Sequence, residues 1–369
     1  MVARPESADH QETDDIGKVF GPDFQQSLSQ FGIRERAAGN GQPEVKGQQG
    51  DGDGKDGITE EDQPLKADLI LFVLRRVSGF SRFYWHALSY RLPALHMPGQ
   101  SHRRDDLMQR DDYIEANRKM WDETADIHAA GYVAGLAQRV RAPDFSTFDD
   151  VEKSLFAQIG LKDKAVIQLG CNNGRELISV KKAGAGRCVG VDVSDKFIAQ
   201  GTQLASLGGV DVEFVRSSVY DLPHEFYAAF DLVYITMGVL GWLPDLDAFF
   251  AIVSRLLRTD GQLFIYEMHP ILNMFEGDKG LTAEASYFQA EPFVDEEGPD
   301  YLDPTQTVKS VSYWFPHKLS DVIGGCLKHG LNLTHFEEYG HDISAVYAAF
   351  EHLAKKPPLS YSLVARKTA

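Results

Sequence analysis

Ala165-Val166-Ile167-Gln168-Leu169-Gly170-Cys171-Asn172-Asn173-Gly174-Arg175 is the stretch whose reading decides the fold. An apolar run leads into a tight turn between two glycines, and the spacing predicts an amphipathic helix from Glu176 to about Ala183. A second apolar run, Cys188-Val189-Gly190-Val191, then ends on Asp192. The order is strand, glycine turn, helix, strand, with an acid at the tip of the second strand. Gly170 and Gly174 allow a sharp backbone turn and a close approach to a ligand, which a Cβ would obstruct. An acid about twenty residues past the first glycine is placed to accept hydrogen bonds from a ribose diol. The stretch reads as a nucleoside site.

The identity of that nucleoside turns on the glycine count. A dinucleotide site needs three glycines, the third permitting close helix packing beside a pyrophosphate. Here Asn172 stands at the second position and the third falls near Leu177. The strand–helix alternation continues downstream. The spacing predicts a helix over 196–207, strands over 212–215 and 231–235, a helix over 247–257, and a fifth strand over 263–266. Such alternation predicts a parallel sheet covered by helices on both faces. Ahead of it, helical spacing runs over 113–122, 124–140 and 148–159. Past His269 the pattern breaks into an irregular insertion, about 270–308. Structure resumes with a run over 311–315, a helix over 318–329, and strands near 333–338 and 361–365.

Three segments at predicted strand ends carry chemistry. They are Ser217-Ser218-Val219-Tyr220-Asp221-Leu222-Pro223, then Ile235-Thr236-Met237-Gly238-Val239-Leu240-Gly241-Trp242-Leu243-Pro244, then Glu267-Met268-His269-Pro270. Together with Leu169-Gly170-Cys171-Asn172-Asn173-Gly174 they resemble the motifs of class I S-adenosylmethionine-dependent methyltransferases, in the branch acting on small molecules. The resemblance covers about 111–367 and is most specific over 166–269. Asn172, in place of a glycine, and Ser218, in place of an acid, are the departures.

The resemblance implies a doubly wound, Rossmann-like α/β fold: a mostly parallel seven-stranded sheet with an antiparallel final strand. It implies S-adenosyl-L-methionine as cofactor, held by Gly170, Cys171, Asn172, Gly174, Asp192, Ser218, Val219, Ile235 and Thr236. Trp121, Trp242, Tyr313, Trp314 and His317 become candidates for the acceptor pocket, and His128 for a lid over the cofactor. On this plan His269 faces the cleft, where a neutral imidazole could take a proton from an acceptor hydroxyl or amine. Each of these has a plainer reading: Trp242 as core, Asp221 as a turn cap, His269 as a histidine satisfied by backbone.

Composition bounds the remainder. At 369 residues with 43% hydrophobic content, the chain can bury a sizeable core. A net charge of −17 opposes a nucleic-acid substrate held on a broad basic surface. Three cysteines without metal spacing, no apolar leader and no long apolar run are the pattern expected of a cytoplasmic protein without metal or membrane span.

Residues 1–66 read as a disordered acidic tail. Within it, Asp51-Gly52-Asp53-Gly54-Lys55-Asp56-Gly57 has acids at calcium-loop positions, but Lys55 sits at a ligand position and Asp56 where the turn needs glycine. Residues 67–110 read as an aromatic and basic linker or docking helix, and 111–369 as the catalytic domain. The function expected is methyl transfer to an O- or N-nucleophile of a small molecule, with no nucleic-acid partner. The alternatives are a cofactor-binding regulatory protein without turnover, or a dehydrogenase of the same sheet class.

Overall fold

The structure, a computed structural model, describes residues 108–368 apart from Gly131, Asp278, Tyr301, Leu302, Pro304 and Ala345. The acidic tail, its calcium-like loop and nearly all of the 67–110 segment lie outside the described residues.

Two helices, α1 (Arg110–Ala130) and α2 (Tyr132–Arg139), precede α3 (Asp150–Ile159). The winding part follows: β1 (Val166–Leu169), α4 (Arg175–Lys182), β2 (Cys188–Asp192), α5 (Asp195–Leu207), β3 (Glu213–Arg216), β4 (Phe230–Ile235), α6 (Leu246–Leu256) and β5 (Leu257–Met268). Two short strand pairs come next, β6 (Phe293–Asp295) with β9 (Ser312–Trp314), and β7 (Gly298–Pro299) with β8 (Thr307–Val308). The chain closes with α7 (Leu319–Lys328), β10 (Leu331–Tyr339) and β11 (Ser360–Lys367).

Seven strands form the main sheet in the order β10-β11-β5-β4-β1-β2-β3. β1 to β5 pair in parallel, and β11 runs antiparallel to both β5 and β10. This is the doubly wound sheet with a reversed last strand that the motifs imply. Winding proceeds outward from β1 to β3, then returns to the other side of β1 as β4. That reversal opens a crevice between the carboxyl ends of β1 and β4, where ligands of open α/β sheets bind.

The two-residue alternation of the strands sorts the core into two layers. Ile167, Leu169, Val233, Ile235, Leu263 and Ile265 face one side and pack with Phe249, Phe250, Leu256 and Val322 from α6 and α7. Val166, Leu232, Tyr234 and Phe264 face the other, against Leu155 and Phe156 of α3 and Leu177 of α4. Burial of a side chain such as Phe249 or Phe250, both fully enclosed, contributes about 1.5–3 kcal/mol. Side-chain caps set the helix starts: Asp149 for α3, Ser194 for α5 and Asp245 for α6 each accept a first-turn amide.

The segment expected to be irregular over 270–308 is partly ordered. After a short 3₁₀ turn, Pro270–Met274, it contributes β6, whose partner β9 lies within the 311–315 run where structure was expected to resume. β9 joins this separate ribbon rather than the main sheet. Among the described residues, no helix is long and apolar enough to cross a membrane.

Candidate active site

The turn after β1 is built on three left-handed residues. Gly170 has φ +65°, and a Cβ there would lie 2.9 Å from the Val239 side chain. Gly174, the cap of α4, has φ +69°, with the Phe214 ring 2.4 Å from where its Cβ would be. Between them Asn172 has φ +49°. Asparagine tolerates this conformation better than other residues with a side chain, because its short amide bonds locally. Its Oδ1 accepts the N–H of Asn173 at 2.7 Å. The missing middle glycine is thereby accommodated.

Asp192 ends β2, nearly enclosed, at 9% exposure. One carboxylate oxygen accepts the N–H of Asn172 at 2.7 Å, the other that of Ser194 at 2.9 Å. Burial raises its pKa to about 6, against the lowering effect of those amide bonds. After β3, Ser217 N–H bonds to the Asp192 carbonyl, and Ser218 Oγ accepts the N–H of Tyr220.

The loop after β4 is pinned by a residue not singled out from the sequence. Glu267, at the end of β5, is 5% exposed. Its carboxylate accepts the N–H groups of Gly238 at 2.6 Å, Val239 at 3.0 Å and Leu240 at 3.3 Å, besides that of Met268. Burial pushes its pKa up to about 7. Gln168, buried in β1, donates to Thr236 Oγ1 at 3.3 Å.

These loops floor a cavity of about 450 Å³, within the range of small-molecule and cofactor sites, roughly 300–1,000 Å³. Gly170, Cys171, Asn172, Asp192, Ser218, Val219 and Thr236 line it. Gly174 and Ile235 do not. Gly174 shapes the turn beneath Phe214, and the Ile235 side chain points into the core because alternation along β4 turns it there.

The roof comes from α1 and the β6–β9 ribbon. Asn117, 3% exposed, donates Nδ2 to the carbonyl of Tyr313 at 3.0 Å and accepts the Tyr313 N–H at 2.8 Å. Glu123 takes the N–H groups of Lys309 and Ser310, each at 3.0 Å. The helix thus supplies side-chain partners to backbone that the ribbon leaves unpaired. Trp121, Trp242 and Trp314 line the cavity edge to face, with centroids 5.0 Å and 5.1 Å apart. His128 also lines it, with Nε2 3.1 Å from a carboxylate oxygen of Asp300.

Two expected pocket residues and the expected base sit elsewhere. Tyr313 alternates with Ser312 and Trp314 along β9, so its ring turns away from the cavity and meets Tyr113 at 4.9 Å. His317 is spent on the Leu243 carbonyl, 2.7 Å from Nε2, and burial lowers its pKa. His269 does not face the cleft. It caps the 3₁₀ turn by accepting the Ile271 N–H at Nδ1, and Nε2 lies 2.9 Å from Glu338 Oε1 on β10. The chain leaves β5 on the side of β11 and β10, which carries His269 away from the β1–β4 crevice. Asn117, Glu123, Glu267 and Asp300 were missed because each acts on a partner brought near only by folding; Asn117 and Tyr313 are 196 residues apart.

Comparison with known proteins adds a family. Residues 166–261 match the model of a methyltransferase domain family. A tRNA U34 carboxymethyltransferase from Cellvibrio japonicus is 32% identical over 129 residues, covering 34% of this chain and 38% of that one. A ubiquinone biosynthesis O-methyltransferase from Neisseria meningitidis is 26% identical over 129 residues, covering 34% and 54%. The chain spans less than two thirds of the length of either relative. Among solved structures, an S-adenosylmethionine dependent methyltransferase from Mesorhizobium loti superposes with a TM-score of 0.42 at 20% identity, covering 58% of this chain and 96% of that one.

Proposed function

We propose that this chain, which carries a methyltransferase domain of the class I S-adenosylmethionine-dependent family, moves a methyl group to an O- or N-nucleophile of a small molecule. The convergence of four loops on one crevice carries this reading. The turn over 170–174, Asp192, Ser218 with Val219, and Thr236 meet around a single cavity at the switch in strand order.

The residues fit the cofactor. Asp192 has lone pairs beyond the two amide bonds it accepts, suited to a ribose diol. Val219 offers an apolar face to adenine, and the turn from Gly170 to Asn172 brings bare backbone to the methionine portion. Bound there, the cofactor supplies an activated methyl group on a sulfonium. The protein's part is then placement: α1 and the ribbon hold the acceptor against the methyl and exclude water. Such orientation can be worth roughly 7–11 kcal/mol in well-aligned systems.

The small-molecule reading is supported by the roof that α1 and the ribbon contribute, the three tryptophans and a net charge of −17. The relative named for tRNA favours an RNA acceptor as the second reading.

Calorimetric titration with S-adenosylmethionine and, separately, NAD tests the first claim. Micromolar binding of S-adenosylmethionine alone, weakened about tenfold or more by Asp192→Ala, is expected. Binding of NAD instead would replace the reading with a dehydrogenase.

A further inference from the structure

We infer that the methyl acceptor is an uncharged aromatic molecule, held between the β6–β9 ribbon and a second wall from the loop after β10, with Ile343 and Val346 as specificity-determining residues; this rests on the methyltransferase reading. Tyr339 at the end of β10 pairs with Ser360 at the start of β11, and Ser360 with Met268 at the end of β5. The β10–β11 connection therefore emerges at the carboxyl end of β5, and Ile343, Ser344 and Val346 from it line the cavity. The loop is held there by its own polar groups. Asp342 Oδ1 accepts the N–H and the hydroxyl of Ser344, at 3.0 Å and 2.7 Å, and Oδ2 accepts the Tyr347 N–H at 2.9 Å. The buried Tyr347 hydroxyl donates to the Leu272 carbonyl at 3.1 Å. At the other end His341 Nε2 lies 2.8 Å from the Tyr266 hydroxyl, which also donates to Asp149.

Ile343 and Val346 pack in one apolar cluster with Met237, Trp242, Met268, Phe293 and Trp314, all of which line the cavity. Phe293 and Trp314 pair across the ribbon and supply rings. The loop adds branched aliphatic side chains, and the ends of β4 and β5 add methionines, whose sulfur packs well against rings. An aromatic guest gains ring–ring geometry there in addition to burial.

Charge is unwelcome in that half of the cavity, because a buried ion without a partner is costly. Among the described residues no lysine lines the cavity, and its arginine, Arg175, is paired with Glu176. The carboxylates are engaged as well: Asp192 by the amides of Asn172 and Ser194, Glu176 by Arg175, and Asp295 by an interaction of its own. The polar groups of the two walls are spent within the protein. Ser344 Oγ donates to Asp342 and accepts the Val346 N–H, and Trp314 Nε1 donates to Asn273. What remains open to the acceptor is apolar surface.

The test uses the full chain loaded with S-adenosylhomocysteine, whose own binding is measured first by calorimetry. Tryptophol, tryptamine and indole-3-propionate then serve as probes, sharing a ring and differing in charge. Tryptophol is expected to bind at least about tenfold more tightly than either charged probe, and phenylethanol more tightly than cyclohexylethanol. Ile343→Ala and Val346→Ala should each weaken tryptophol at least about threefold, with S-adenosylhomocysteine affinity unchanged as the sign of an intact fold. A charged probe binding as well as tryptophol, the cyclohexyl probe outbinding the phenyl one, or tryptophol affinity unmoved in both variants would overturn the inference alone. So would labelled methyl passing from S-adenosylmethionine to total tRNA. Failure of the unaltered chain to bind S-adenosylhomocysteine would instead remove the methyltransferase reading beneath it.

Discussion

The backbone N–H of Asn172 lies 2.7 Å from Asp192 Oδ2, so the turn after β1 and the acid at the end of β2 are one hydrogen-bonded unit. The acid both fixes the turn and is left with lone pairs toward the cavity. Asn172, which stands where the resembled motif has glycine, therefore takes a left-handed conformation that glycine favours and donates its amide to the expected acid.

The Asn172 position gives a first prediction. Because φ is +49°, Asn172→Gly should keep cofactor binding within a fewfold. Asn172→Val should cost about 1–2 kcal/mol or more in stability, since a β-branched side chain is strained in the left-handed region. Thermal denaturation of the two variants, with calorimetry of S-adenosylmethionine binding, checks this. Equal melting temperatures would show that the turn does not hold Asn172 left-handed.

Glu267 predicts a pH dependence. Its folded pKa, about 7, is raised above the value near 4.5 expected when unfolded. A raised pKa means that the folded state holds the proton more tightly. The associated stability is fully present below pH 4.5 and is lost as pH rises through about 7. Glu152 behaves alike, its pKa pushed up to about 7 by burial beside Tyr234. The melting temperature should therefore fall between pH 5 and pH 8, and Glu267→Gln should flatten part of that slope. Glu267→Leu should destabilise at every pH by a few kcal/mol, because the amides of Gly238, Val239 and Leu240 lose their acceptor. Melting curves across the pH range for all three proteins decide it.

Gly241 separates roof from floor. A Cβ there would sit 2.2 Å from the Trp314 ring, whose Nε1 is tied to Asn273 Oδ1 at 3.0 Å. Gly241→Ala should displace the indole, change tryptophan fluorescence and weaken acceptor binding, while S-adenosylmethionine affinity stays within about twofold. Loss of cofactor binding in this variant would show that roof and floor do not move independently.

The local grammar of the chain was enough to place the winding half. Apolar runs, glycine turns and helical spacing specify β1 to β5 and their helices, since each depends on residues close in sequence. The loops expected to hold the cofactor converge because an open parallel sheet presents its strand ends together. Gly170, Cys171, Asn172, Asp192, Ser218, Val219 and Thr236 could thus be named from sequence and do line the crevice.

Only the tertiary structure decided which faces the late segments present. Ser312, Tyr313 and Trp314 are consecutive, yet the ribbon's alternation turns the first and last toward the cavity and the second toward Tyr113. His269 follows a correctly placed strand but is carried toward Glu338 by where β10 and β11 dock. The partners of Asn117, Glu123 and Glu267 are backbone groups, which any residue supplies, so side-chain type carries no trace of them. Local periodicity fixes elements and strand tips. The direction of a side chain in a short ribbon, and the partner of a buried carboxylate, depend on contacts between segments far apart in sequence.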